Sequence, residues 1–225
     1  MIAALDLDGT LITCEPRQSA CLQAALVCYG IRVSTSQVWE LKREGASTEQ
    51  ALVLLKQDPI LARRVAEHWR QMIEEPYWLG LDSTLPGTIS ILGAMRATQA
   101  KLCLITARSR PQWIPQQLAR LGLRHYLDHI TVVPPQTATN AKATVLRESR
   151  ASVFFGDTES DYEASVSADV PFFAVTTGQR SAGFLVAANV SHVCETLRDA
   201  WTSFLRSSEN PSKETCSNSQ SNLEA

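Results

Sequence analysis

The chain has 225 residues, 44% of them apolar, and a formal net charge of -2. It is long enough to bury a sizeable core, and no run is apolar enough to cross a bilayer, so it reads as one globular domain or a core plus an insert. The interspersed charges leave no basic face for nucleic acid or a membrane, which favours a small, locally recognised partner.

Residues 2–5 form an apolar run that ends in Asp6-Leu7-Asp8-Gly9-Thr10, a buried strand running into a turn. The run begins almost at Met1 with no basic and apolar leader before it, so a cytoplasmic location is expected. Residues 16–29 follow as a helix with Pro16 at its start and Gly30 past its end. Further helices are expected over 34–44, 47–57 and 60–75, making 14–80 an all-helical insert that leaves the sheet just after the two aspartates. From 88–98 onward the pattern alternates: strand 101–106, helix 111–121, strand 129–133, helix 140–147, strand 152–155, helix 159–168, strand 172–175, and a closing strand and helix within 189–201. Such alternation predicts an α/β fold with a parallel sheet covered on both faces, its core made of 1–13 and 81–205. Residues 206–225 lose apolar periodicity and read as a disordered tail. The cysteines (Cys14, Cys21, Cys28, Cys103, Cys194, Cys216) include no C-x-x-C pair and are expected to be thiols that act as small packing residues.

Four places combine a strand or helix end with reactive chemistry. Asp6 and Asp8, at i and i+2 of the first strand, share a face and act on one centre. One carboxylate can attack phosphorus to give an acyl phosphate, and a second can protonate the leaving oxygen and then activate water. Thr106 ends its strand with a hydroxyl, and the amides after it are free to face an anion. Lys142, in a segment read as a helix start, offers an ammonium to a phosphoryl oxygen and the nucleophile. Gly156-Asp157 closes another strand, with Asp161 on the first turn of the next helix. Four acids converging from two strand ends repel one another unless a cation binds between them, and Mg²⁺ suits hard oxygen ligands shared with phosphate.

In this order, D-x-D-G-T, strand-end Thr, Lys and G-D-x-x-x-D resemble the haloacid dehalogenase superfamily of phosphohydrolases, over roughly residues 2–200. Leu85-Pro86-Gly87 and Thr177-Gly178-Gln179-Arg180-Ser181 resemble connecting segments of its phosphoglycolate-phosphatase-like branch. The resemblance implies a Rossmann-like core with 14–80 as a helical cap, and Mg²⁺-dependent hydrolysis of a small phosphorylated metabolite. It makes Asp6 the nucleophile and a metal ligand, and Asp8 the general acid/base that also lends the metal its carbonyl. Thr106, the Ala107 amide and the Gly9 turn then hold the phosphoryl group, Lys142 neutralises it, and Asp157 and Asp161 complete the metal shell. The second motif reads Thr-Ala-Arg where many relatives have Thr-Asn, so Arg108 is either a substrate contact or a structural ion-pair member. Lys42 and Arg43, before the Gly45 loop, resemble the family's substrate-selecting cap loop, with a solvated helix face as the competing reading. Asp8 favours phosphate esters over carbon–halogen bonds, and the absence of a lysine early in the first cap helix, which offers Arg17, disfavours Schiff-base chemistry. A phosphomutase shares every core motif, and a silent binding protein on the same fold is the reading from a different class.

Overall fold

The computed structural model describes residues 1–209. Its sheet has six strands in the order β3-β2-β1-β4-β5-β6. They are β1 (Ile2–Leu5), β2 (Lys101–Ala107), β3 (His129–Val133), β4 (Val153–Gly156), β5 (Phe172–Val175) and β6 (Val193–Cys194). Every pairing is parallel. Successive side chains enter opposite faces, so the neighbours Phe154 and Phe155 belong to different halves of the core. One half packs Leu5, Leu104, Phe155 and Phe173 against α6 (Thr88–Ala97), α7 (Ile114–Arg120) and α11 (Leu197–Glu209). The other packs Ala4, Phe154 and Phe172 against α8 (Ala138–Ser149), α9 (Glu159–Ala168) and α10 (Ala182–Ala187). This is the Rossmann-like α/β fold, and covering both faces is why its strands read as unbroken apolar runs.

Between β1 and β2 lie α1 (Glu15–Cys28), α2 (Thr35–Arg43), α3 (Thr48–Leu54), α4 (Pro59–Met72) and α5 (Pro76–Leu79). The first four share a separate apolar cluster that includes Leu26, Val38, Leu52 and Val65. Polar side chains cap α2, α3 and α4: Ser34 accepts from the Gln37 amide, Ser47 and Gln50 form a reciprocal capping box, and the Asp58 carboxylate accepts from the Leu61 amide at 2.9 Å. The outgoing and returning chains pair where they leave the core, with the Thr13 amide donating to the Ser83 carbonyl at 2.8 Å.

The structure departs from the sequence reading in six places. The helix expected over 60–75 ends at Met72, and a new turn starts at Pro76, which can begin a helix but not continue one. The segment expected as one helix over 111–121 opens as a 3₁₀ turn before Ile114. Helix α8 begins at Ala138 out of a 3₁₀ turn at Pro135–Thr137, so Lys142 lies in its second turn and not at a helix start. Helix α10 was not anticipated. Helix α11 runs on to Glu209 because Trp201 and Phe204 anchor it to Phe155, so 206–209 belong to the fold; the rest of the expected tail lies outside the described residues. Cys14, Cys21, Cys28, Cys103 and Cys194 are free thiols, and Cys28 is exposed, so it is not the packing residue expected. No helix among the described residues is long and apolar enough to cross a membrane.

Candidate active site

The chain reverses its direction of travel across the sheet between the adjacent strands β1 and β4, and a crevice opens there at the strands' carboxyl ends. Asp6 directly follows β1, and its amide donates to the Phe155 carbonyl at 2.9 Å. Asp157 directly follows β4, and its Oδ2 accepts from the Gln179 amide at 2.6 Å. Asp161 sits in the first turn of α9, where the capping Thr158 hydroxyl donates to its Oδ2 at 2.7 Å. Carboxylate oxygens of Asp6, Asp157 and Asp161 all lie within 4.8 Å of one another. From α8 the Lys142 Nζ donates to Asp6 Oδ1 and to Asp161 Oδ1, each at 2.6 Å.

All four side chains are buried. Burial raises the Asp6 carboxyl to about 7; Lys142 opposes that shift, while Asp161 and Asp8 add to it. Burial, then Asp6 and Asp161, pushes Asp157 well above the usual carboxylate range. Burial also works against the charge on Lys142, but Asp161 and Asp6 outweigh it and hold the ammonium protonated. One ammonium does not offset three buried carboxyls, which is why burial and mutual repulsion oppose their ionisation, and a divalent cation on these hard oxygen donors would relieve it. The backbone makes room for this cluster. Gly9 has φ +75°, and a Cβ there or at Gly178 would overlap the Asp157 carboxylate.

Asp8 lies apart from that cluster and faces two guanidiniums. Arg108 Nη2 is 2.6 Å from its Oδ2, and Arg17 Nη2 is paired with its Oδ1. Burial alone would raise Asp8, but Arg108 and Arg17 prevail and hold it below the usual carboxylate range. Arg17 Nε also reaches Asp82 Oδ1 at 3.0 Å, and Asp82 Oδ2 accepts from Gln117 Nε2 at 2.7 Å. Beside Asp8 opens a cavity of about 520 Å³ lined by Arg17, Trp69, Arg70, Glu74 and Arg108.

The profile of haloacid dehalogenase-like hydrolases matches residues 4–175. This chain belongs to that family. Among solved structures, a predicted phosphatase from Clostridium acetobutylicum superposes with a TM-score of 0.70 at 18% identity, covering 91% of this chain and 98% of its own. A haloacid dehalogenase-like family hydrolase from Streptococcus pneumoniae gives 0.73 at 14% identity, covering 90% and 97%. A candidate β-phosphoglucomutase from Thermotoga maritima gives 0.61 at 20% identity, covering 92% and 99%. At these identities the likeness is one of fold. No curated protein sequence matches the chain.

The other residues singled out from the sequence fall at different places in this haloacid dehalogenase-like frame. Thr106 is buried near the end of β2, and Ala107 and Arg108 line the cavity beside it. Gly9 donates its amide to the Ile12 carbonyl and accepts from the Thr177 hydroxyl at 2.5 Å, so its backbone is committed to the turn. Lys42 is buried, paired with Gln18 Oε1, and lies 4.5 Å from the Trp69 ring centre, which excludes the solvated face weighed for it. Arg43 points to the core loop, donating to the Gly178 and Thr176 carbonyls at 3.0 and 3.2 Å. Sequence reasoning gave no role to Arg17, Asp82 or Glu74, whose partners are 9 to 65 residues distant. An arginine in the first turn after the D-x-D motif was the one signal that could have pointed to the first.

Proposed function

We propose that this chain is a Mg²⁺-dependent phosphatase that hydrolyses a small phosphorylated metabolite through an aspartyl phosphate on Asp6. The observation that carries the reading is the buried cluster of Asp6, Asp157 and Asp161 bridged by Lys142. In the first half-reaction the Asp6 carboxylate takes the phosphoryl group, and Asp8 gives a proton to the departing oxygen. In the second, water attacks the acyl phosphate, its proton passes to Asp8, and inorganic phosphate and free Asp6 result. Arg108 and Arg17 favour the ionised Asp8 that accepts the water proton; the proton Asp8 gives in the first half-reaction is taken up with the substrate, whose phosphoryl charge offsets the two guanidiniums. Lys142 neutralises the phosphoryl oxygens and fixes Asp6, and Thr106 with the Ala107 amide receives the phosphoryl group at the end of β2. Asp6, Asp157, Asp161 and the Asp8 carbonyl would hold Mg²⁺, which when bound offsets the charge between nucleophile and phosphate.

We read residues 14–80 as a cap over the 520 Å³ cavity, a space suited to a small metabolite. The fold likeness to a candidate β-phosphoglucomutase supports a second reading, in which the phosphoryl group returns to a sugar. The test is phosphate release from p-nitrophenyl phosphate with and without Mg²⁺, in wild type and Asp6→Asn. Release that needs both Mg²⁺ and Asp6 is expected. An Asp6→Asn variant with undiminished release would contradict it, and an isomerised sugar phosphate formed without free phosphate would favour the mutase.

A further inference from the structure

The peptide unit that joins Gly178 to Gln179 is bonded on both sides. Its amide, on Gln179, donates to Asp157 Oδ2 at 2.6 Å, and its carbonyl, on Gly178, accepts from Arg43 Nη1 at 3.0 Å. The unit is planar and trans, so its N–H and C=O point in opposite directions, and a group that holds the oxygen also aims the hydrogen. Arg43 ends α2 of the insert, whereas Asp157 follows β4 of the core. One peptide thus links the insert to an acid of the buried cluster.

The rest of the loop leaves the direction of that peptide to Arg43. Residues 176 and 177 are tied to the core, the Thr176 amide to the Cys194 carbonyl at 3.0 Å and the Thr177 hydroxyl to the Gly9 carbonyl at 2.5 Å. From Gly178 onward the insert holds the loop as well: the Ser181 amide donates to the Arg43 carbonyl at 2.9 Å, and Arg180 Nη1 to the Lys42 carbonyl at 2.8 Å. Among the described residues, the Gly178 carbonyl accepts from Arg43 alone. Position 178 has to be glycine, because a Cβ there would overlap the Asp157 carboxylate. A peptide beside glycine turns over at little steric cost, and turned over, this one would set a carbonyl oxygen against a buried carboxylate. The planar guanidinium also reaches the Thr176 carbonyl, from Nη2 at 3.2 Å, so it grips the loop at two points.

We propose that Arg43 is a positioning residue for Asp157: by holding the Gly178 carbonyl it keeps the Gln179 amide on the carboxylate, so that docking of the insert raises the affinity of the acid cluster for a divalent cation. This rests on the Mg²⁺ site of the phosphatase reading, and it gives Arg43 a task other than contact with substrate. Hydrogen bonds to a ligating carboxylate fix its orientation, and losing them weakens metal binding. The coupling is reciprocal, so the insert's hold on the loop tightens by the same factor when the cation is bound.

The test is calorimetric titration of the full, metal-free chain with Mg²⁺, in wild type, Arg43→Met, Arg43→Lys and Asp58→Ala. Arg43→Met is expected to bind Mg²⁺ about tenfold more weakly, the low end for loss of a ligand's support because Arg43 acts one bond further out. Arg43→Lys, whose ammonium can still reach one carbonyl, is expected to recover part of that loss. Asp58→Ala removes the cap of α4 inside the insert, far from the loop in its bonding, and is expected to lower stability while leaving Mg²⁺ affinity unchanged. Arg43 variants that bind Mg²⁺ as tightly as wild type overturn the proposal and leave the cation site standing. An equal loss in Asp58→Ala also overturns it, since a general loosening would then account for the effect. A wild-type chain that takes up no Mg²⁺ overturns the proposal and the Mg²⁺-dependent reading together.

Discussion

Arg17 reaches back nine residues to pair with Asp8 while its Nε holds Asp82 at 3.0 Å. Asp8 lies on the chain leaving the sheet and Asp82 on the chain returning to it, so one guanidinium ties Asp8, the proposed acid/base, to both crossings into the helical insert. The position of the insert and the orientation of Asp8 are thereby coupled. Arg17→Met strands a buried carboxylate at Asp82, and a loss of about 3–5 kcal/mol in urea unfolding is expected. Adding Asp82→Asn removes the stranded charge and is expected to restore part of that loss, which a double-mutant cycle measures.

Among the described residues, Lys142 is the only cation touching two of the three clustered acids. On the proposed mechanism, Lys142→Gln removes a preorganised charge from the place where phosphoryl charge develops. The expected result is a fall in kcat of about 100- to 1,000-fold with a smaller change in KM. Steady-state kinetics on p-nitrophenyl phosphate measures both.

Mg²⁺ binding to the native cluster and not to the unfolded chain must raise stability. At 100 times the dissociation constant the gain is about 2.7 kcal/mol, visible as a rise in Tm. Asp157→Asn is expected to abolish the Mg²⁺-dependent rise, and chelation of the metal to abolish phosphate release. A Tm that ignores Mg²⁺ in wild type would speak against the cation site.

Burial lowers the Lys42 ammonium to about 7, with Arg180 and Arg17 adding to the shift and Cys14 opposing it. Between that value and the ordinary lysine pKa of about 10.4, the unfolded chain carries a proton the native chain lacks, so this group's contribution to stability rises with pH through that window. Below about pH 7 the buried ammonium is charged in both states, and its cost is fully present. The difference in unfolding free energy between wild type and Lys42→Met is therefore expected to move in favour of wild type on going from about pH 6 to pH 9, with a slope no steeper than about 1.4 kcal/mol per pH unit. Urea titrations at the two pH values measure it, and an unchanged difference would contradict a buried, shifted Lys42.

The sheet and the acid cluster were legible because each is written locally. Apolar runs such as 153–155 carry the strand signal, and Asp6 and Asp157 stand directly after their strands. Thr158 in front of Asp161 is a helix cap that can be read as such from sequence. The guanidinium network was not legible, because nothing in the vicinity of Arg17 marks it as buried against Asp82. An arginine on a helix looks the same whether it faces water or a carboxylate brought in by the fold. Lys42 and Arg43 illustrate the point further: neighbours on α2, they turn to different partners, one into the insert beside Trp69 and the other onto the core loop at Gly178. Helix α10 was missed because its six residues are too few to display a period.

The most direct test of an Asp6 nucleophile is to quench the protein with acid during turnover of p-nitrophenyl phosphate in Mg²⁺ and locate the bound phosphoryl group by peptide mass spectrometry. A phosphoryl group on Asp6, absent when Asp6→Asn is treated the same way, is the expected result. A phosphoryl group on any other residue, or undiminished turnover by Asp6→Asn, would contradict it.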